Sequence, residues 1–289
     1  MSITAYMGAK QQLLDEYLKY MDGISHNVYL EPCAGMGNIV LNYFTNAERV
    51  INDYSIKNAL LLRALASTDS DVSKRFLHHL ENAAYDEEVF NSAHEYYKKL
   101  DLKNKVLEDF EGDKLADIGA ALYVLFRTSY GGNITGNYKK PDKYSDITNF
   151  DKCLYDLPEI MERLRGATVK NMDAVKLIEA YKDRDDVFMF LDPPYISDDS
   201  TDETSKRSKN ADKVYECRID YTKLLPLLCE SRNKIMLCNY NNKLLLEKLV
   251  GNGWKQIEIG KKCIGASIKK NDKFRASSVE YIYVNFNLC

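Results

Sequence analysis

The sequence predicts an α/β protein: a mostly parallel sheet with an antiparallel hairpin at one edge, interrupted by a mainly helical insert. Three observations carry this. Apolar runs with no polar alternation, such as Val187 to Leu191, read as strands buried on both faces and recur between stretches of helical period. From Ser67 to Leu125 the pattern is helical throughout, so the β-α alternation is broken by an insertion. Trp254 to Lys261 and Val279 to Phe286 then follow each other as strands with no helix between, which makes an antiparallel edge hairpin.

Taken in order, Gly8 to Met21 places Leu13, Leu14, Tyr17, Leu18 and Met21 on one helical face, just after the turn Tyr6-Met7-Gly8-Ala9-Lys10. Val28-Tyr29-Leu30 reads as a buried strand that runs into Glu31-Pro32-Cys33-Ala34-Gly35-Met36-Gly37-Asn38, and Ile39 to Phe44 reads as a helix. Strand, glycine turn and helix together bring a ligand against bare backbone N–H groups. A dinucleotide-binding turn would want a third glycine where Val40 stands, which leaves a nicotinamide dehydrogenase as a weak alternative.

Arg49 to Asp53 reads as a second strand ending in an acid. Asp53 suits the ribose hydroxyls of an adenosine-containing cofactor, and equally suits capping of the helix Tyr54 to Leu65. Within the insert, helices are expected near 71–83, 86–100 and 114–126. The stretch Arg127 to Pro141 is rich in glycine, asparagine, aromatic and basic residues, as fits a loop or β-ribbon touching phosphates and base edges, or a plain surface loop. A helix starts at Asp156-Leu157-Pro158-Glu159, a strand runs from Thr168 to Asp173, and a helix from Ala174 to Tyr181. Beyond the strand that ends at Asp192, Ser197 to Lys213 is almost wholly polar and reads as a mobile loop. A helix (221–229), a strand (234–238) and a helix (243–249) precede the closing hairpin.

The chain is organised around Asp192-Pro193-Pro194-Tyr195. A buried strand delivers these residues to the carboxyl edge of the sheet, where open α/β sheets bind ligands. Two prolines fix two φ angles and remove two N–H groups, leaving a stiff backbone whose carbonyls can accept from a ligand beside an aromatic ring.

At 289 residues, 45% hydrophobic and 29% charged, the chain is an ordinary globular protein able to bury a full core. No apolar run reaches membrane-spanning length and the first residues have no signal-peptide character, so a cytoplasmic protein with no membrane contact is expected. Seven scattered cysteines without a C-x-x-C pair argue against both a disulfide framework and a metal site. The histidines His26, His78, His79 and His94 lie far from Asp192 in sequence, against a Ser-His or Cys-His hydrolase. Net charge is −3, but Lys139-Lys140, Lys206-Arg207 with Lys209, Lys261-Lys262, and Lys269-Lys270 with Lys273 and Arg275 could form a basic face.

With Gly8/Lys10, the Glu31 to Gly37 turn, Asn52-Asp53, a DNA-reading insert, Asp173 and Asp192 to Tyr195 in this order, the chain resembles the Dam-type, D12-class (α-group) DNA adenine-N6 methyltransferases. Cys33 stands where that family has an aromatic residue, and Gly131-Gly132-Asn133-Ile134-Thr135 departs from its GATC-reading run, so the resemblance carries the activity and not the recognition sequence. It implies a Rossmann-like S-adenosylmethionine-dependent methyltransferase sheet, with a catalytic domain over 1–60 and 166–289 and a target-recognition domain over 61–165. It also implies S-adenosyl-L-methionine as cofactor, held by Tyr6, Gly8, Lys10, Glu31, Pro32, Cys33, Ala34, Gly35, Gly37, Asn38, Asp53, Tyr54, Asp173 and Asp192. Catalysis falls to Asp192, Pro193, Pro194 and Tyr195, acting on an adenine flipped out of double-stranded DNA. DNA contacts fall to Arg127, Tyr130, Asn133, Thr135, Asn137, Lys139 and Lys140. A monomer is expected, with a cognate restriction endonuclease as a further partner. An RNA or other amino-group methyltransferase, or a catalytically silent DNA-binding regulator, stays as the alternative.

Overall fold

The computed structural model describes residues 1–3, 10–142, 144–196, 219–263 and 277–288. Tyr6, Gly8, the polar 197–213 stretch, the basic clusters from Lys206 and from Lys269, and Arg275 lie outside the described residues. A seven-stranded sheet has the order β3-β2-β1-β4-β5-β7-β6. Its strands are β1 (Val28–Glu31), β2 (Glu48–Asn52), β3 (Thr168–Lys170), β4 (Val187–Leu191), β5 (Lys234–Asn239), β6 (Lys255–Cys263) and β7 (Ser277–Val284). β4 runs parallel to β1 and to β5, β3 parallel to β2, while β7 is antiparallel to both β5 and β6. The α/β class, the parallel majority and the antiparallel edge expected from the sequence are all present. The last strand is the inner one of the hairpin: β7 lies between β5 and β6.

The chain packs as two compact units, one of residues 1–9, 34–44 and 49–172, the other of 10–33, 45–48 and 173–289. The first holds α2 (Asn38–Asn42), α3 (Ile56–Leu65), α4 (Ser70–Leu80), α5 (Glu87–Lys99), α6 (Gly112–Thr128), α7 (Tyr144–Tyr155) and α8 (Leu157–Leu164). α6 is its axis and packs against α3, α4 and α5. Its residues from Leu115 to Phe126 are buried almost without a break except at Asp117, as befits a helix apolar nearly all round. Gly119 is what lets the neighbours come so close: a Cβ there would lie 2.5 Å from that of Ala64 in α3 and 3.2 Å from the ring of Phe76 in α4. Asp69 and Asp86 cap α4 and α5, Asp69 accepting from the N–H groups of Asp71 and Val72 and Asp86 from that of Val89.

In the second unit β4 is buried at every position, which is why its sequence shows no alternation. Around the sheet strands stand α1 (Leu14–Met21), α9 (Ala174–Tyr181), α10 (Tyr221–Glu230) and α11 (Lys243–Lys248). Among the described residues no helix is long and apolar enough to cross a membrane.

Candidate active site

In the second unit a buried ionic cluster forms where β4 ends. Lys10, only 5% exposed, sets its ammonium 2.7 Å from Asp192 Oδ1 and 3.8 Å from Glu280 Oε2. The same ammonium donates to the Tyr195 hydroxyl at 2.5 Å and lies 4.6 Å from the centroid of that ring. Glu280, on β7 and 1% exposed, accepts from the hydroxyl of Tyr17 in α1. Burial by itself would lower the Lys10 pKa; the charges of Asp192 and then Glu280 outweigh it and hold the ammonium above its ordinary value. Burial, aided by the same carboxylates, also raises the Tyr17, Tyr195 and Cys238 pKa values, so these groups stay neutral hydroxyls and a neutral thiol. Cys238 is therefore no thiolate nucleophile.

The proline segment is fixed from behind. Asn239, buried at the end of β5, donates to the Tyr221 hydroxyl at 2.9 Å, and Tyr221 donates to the Pro194 carbonyl at 2.9 Å. Among the described residues nothing donates to the Pro193 carbonyl, the other acceptor of this rigid pair. The ring of Tyr195 meets that of Tyr240 edge-on, with centroids 4.8 Å apart and planes at 85°. Asp192 keeps 22% of its side chain exposed, so the carboxylate can meet a ligand while still paired to Lys10. At the end of β1, Glu31 is buried and accepts from the Tyr29 hydroxyl at 3.0 Å; Pro32 is buried and Cys33 is half-buried. Asp173 accepts from Lys176 N–H at 3.1 Å and so caps α9.

The glycine turn belongs to the first unit. Ala34 N–H donates to the Asn52 carbonyl at 2.8 Å, and Gly37 N–H closes the turn on the Ala34 carbonyl at 2.8 Å. Gly35 and Gly37 both have φ in the left-handed region, +55° and +64°. A Cβ on Gly37 would also press on Leu62 Cδ2 at 3.1 Å and Val40 Cγ1 at 3.2 Å. Gly37→Ala is therefore expected to cost about 1–2 kcal/mol of stability, from strain and crowding together, measured by urea unfolding.

Among the described residues Asp53 accepts from Gly35 N–H at 2.8 Å on one oxygen, and from Ser55 N–H at 2.9 Å and Asn58 Nδ2 at 3.1 Å on the other. The contact to Ser55 serves the approach to α3, and the contact to Gly35 ties the carboxylate to the turn. Two asparagines fasten the loops after β2 and β3. Asn52 exchanges two 3.0 Å hydrogen bonds with the backbone of Met172, and Asn171 donates to the Asp53 and Tyr54 carbonyls at 2.7 and 2.9 Å. Tyr54 presents a ring that is 52% exposed.

Asn38 opens α2 with its side chain 93% buried, yet neither the amide nitrogen nor the amide oxygen has a partner. An unsatisfied buried amide costs about 1–3 kcal/mol, so this group fits a ligand that offers both an acceptor and a donor. An amino acid zwitterion, as in the methionine part of S-adenosylmethionine, does so. The turn that carries Asn38, the locked Asp53 and the exposed Tyr54 ring thus suit that cofactor's chemistry.

In the insert, the loop after α6 closes through a bridge between Ser129 and Tyr138, and Tyr85 donates to the Lys139 carbonyl at 3.0 Å. Ile134 is buried and pins the loop, while Tyr130, Asn137 and Lys140 remain exposed. Asn133 accepts from the Thr135 N–H and hydroxyl, closing the loop upon itself, and Lys139 pairs with Asp146 at 3.3 Å. Arg127 departs from the expected phosphate contact: its guanidinium is turned into α7, donating to Cys153 Sγ at 2.9 Å and the Asn149 carbonyl at 3.3 Å. α7 packs against that guanidinium, and this is why the residue faces inward.

Sequence reasoning missed Glu280, Tyr17, Tyr221 and Asn239. A signal for Glu280 was present in the strand pattern, where 280, 282 and 284 share one side and the latter two are Ile and Val. A lone acid on that parity calls for a buried cation.

The model of one protein family, the D12 class N6 adenine-specific DNA methyltransferases, matches residues 6–261. No curated protein matches the chain.

Proposed function

The chain belongs to the D12 class of N6 adenine-specific DNA methyltransferases, and from that premise we propose which residues carry the reaction. The methyl donor of the family is S-adenosylmethionine, and the group goes to N6 of adenine in DNA. That cofactor supplies a methyl group already activated on a sulfonium. By resemblance, Gly35, Gly37 and Asn38 receive its amino acid end, Lys10 and Glu31 help hold its charged ends, Asp53 takes its ribose, and Tyr54 and Asp173 its adenine ring; Pro32, Cys33 and Ala34 belong to the turn that does so. Tyr6 and Gly8 are assigned to the cofactor by resemblance alone.

The target adenine has to leave the base stack, at a cost of about a few kcal/mol, and stacking on Tyr195 offsets about 1–3 kcal/mol of it. An aromatic amino nitrogen is a poor nucleophile because its lone pair is drawn into the ring. Asp192 and the Pro193 carbonyl each accept one of its N–H groups, which favours a pyramidal nitrogen and frees the lone pair for attack. The sulfonium would supply the methyl group and keep the C–S bonding pair, while Asp192 and the Pro193 carbonyl would hold the nitrogen lone pair toward it. Asp192 then takes the surplus proton from nitrogen and passes it to solvent through its exposed edge. Catalysis is positioning plus stabilisation of positive charge, with no covalent bond to the protein. The single observation that carries this reading is the fixed acceptor pair, Asp192 on Lys10 and the proline segment on Tyr221.

Residues 61–165 are assigned to target recognition, and 1–60 with 166–289 to catalysis. Tyr130, Asn137 and Lys140 are the exposed contacts to duplex DNA, with Asn133, Thr135 and Lys139 shaping the loop. Lys140→Ala is expected to weaken DNA binding and to reduce the slope of log affinity against log salt by about one, followed by anisotropy titrations at several ionic strengths. Arg127→Ala should leave that slope unchanged and lower the melting temperature. A monomeric, cytoplasmic enzyme acting beside a cognate restriction endonuclease completes the proposal. Sequencing DNA from cells that express the protein, with detection of modified adenines, tests substrate and recognition site together; unmodified adenine throughout would overturn it.

A further inference from the structure

We propose that Tyr85 is a positioning residue for sequence recognition: from the connection between α4 and α5 it holds the returning limb of the loop after α6 in the posture that presents Asn137 and Lys140 to DNA. This rests on the assignment of that loop to DNA contact and goes beyond it. The two limbs of the loop meet at the bridge between Ser129 and Tyr138, and beside it the Lys139 N–H donates to the Thr128 carbonyl at 2.8 Å. So short a pairing is weak support for a loop of this length, because each backbone hydrogen bond adds little where water competes for it. Base edges are told apart by the geometry of their donors and acceptors, so the groups that read them must be held to about 0.5 Å. Tyr85 supplies the rigidity that the pairing lacks.

Tyr85 is 9% exposed and stands 54 residues before Lys139 in sequence. Its hydroxyl donates to the Lys139 carbonyl at 3.0 Å, and its own carbonyl accepts from the Tyr138 hydroxyl at 3.3 Å, so two adjacent loop residues are tied to one. The Tyr85 ring meets that of Phe150 in α7 edge-on, with centroids 5.6 Å apart and planes at 85°, and lies 5.9 Å from the ring of Tyr138. Phe90 of α5 sets a further ring against Tyr138, with centroids 5.7 Å apart. Burial, with the nearby charge of Asp146, pushes the pKa of the Tyr85 hydroxyl up to about 12, so it stays a neutral donor. Lys139 is then held at three points: by Thr128, by Tyr85 and, through its ammonium, by Asp146 at 3.3 Å. Tyr138 and Lys139 are half-buried, while the residues on either side of them, Asn137 and Lys140, stand exposed. Fixing the inner pair therefore fixes how the outer pair meets a base or a phosphate.

The test is Tyr85→Phe in the full-length protein, which keeps the ring and its contacts and removes the hydroxyl. DNA from cells that express the wild type or the variant is sequenced with detection of modified adenines, and the sequence contexts of the methylated sites are compared. We expect the contexts to widen. On purified protein, the ratio of kcat/KM for the wild-type site to that for a site differing at one base pair should fall about fivefold, the loss of one net hydrogen bond. The affinity for S-adenosylmethionine and the slope of log DNA affinity against log salt should not change, since Lys140 keeps its charge. Tyr138→Phe removes the longer of the two hydrogen bonds and should widen the same contexts by less. A Tyr85→Phe enzyme with wild-type contexts overturns the proposal, as does a methylation level that drops equally at every context, the mark of a purely structural role. Should Lys140→Ala leave the salt slope unchanged, it is the assignment of the loop to DNA that fails, and the proposal with it, an outcome distinct from either.

Discussion

Asp192→Ala is expected to abolish methyl transfer, lowering the single-turnover rate by about 10³-fold or more, while the affinity for S-adenosylmethionine stays within a few-fold of wild type. The size follows from what is removed: one of two acceptors on the amine, and the charge nearest the nitrogen that becomes cationic, in a site where losing one such group costs about 10²–10³ in rate. The variant should still fold, because Lys10 retains Glu280 as a counter-charge. Asp192→Asn, which keeps an oxygen and loses the charge, should fall between the two. Quenched single-turnover assays, with calorimetric titration of the cofactor, decide the matter; transfer within tenfold of wild type would remove Asp192 from the reaction.

Lys10→Met should have the largest effect on stability. It leaves the carboxylates of Asp192 and Glu280 together without their cation, and breaking a buried pair in this way costs about 3–5 kcal/mol. Methyl transfer should be lost as well, since Tyr195 loses its donor. The pH dependence has a definite sign. The folded-state pKa of Lys10 lies above the ordinary 10.5, so its contribution is complete below that value and is lost only as pH rises beyond it. Between pH 7 and 10 the gap in unfolding free energy between wild type and Lys10→Met should therefore stay level, as urea denaturation at a series of pH values will report. A gap that closed between pH 8 and 9 would mean that Lys10 is not held as an ammonium by this cluster.

Most of the fold was legible because the strands are short, apolar and bounded. Val187 to Leu191 is buried at every residue, and its sequence could be read in only one way. α7 was not legible: over Tyr144–Tyr155 only Phe150 and Cys153 are buried, so the helix leaves almost no apolar period, and its place is set by packing on α8 and by Arg127. The central motif of the site announced itself through Pro193 and Pro194, and the glycine turn through Gly35 and Gly37. The supporting groups did not, because they meet over distances that no local pattern spans; Tyr17 and Glu280 are 263 residues apart in sequence. Tyr17 reads as one more apolar residue on α1, and nothing short of the fold gives its hydroxyl an acid to serve. Arg127 shows the converse, a cation in a basic loop whose partner lies in a helix that the sequence did not declare.

The place of β7 in the sheet sets a condition on synthesis. While the polypeptide is being made, β5 has β4 on one flank and a bare row of amide and carbonyl groups on the other, and β6 has no strand to join. Residues 277–284 fill that gap between β5 and β6 and carry the acid that pairs with Lys10. A nascent or truncated chain ending before that point would offer the flank of β5 to any other strand within reach.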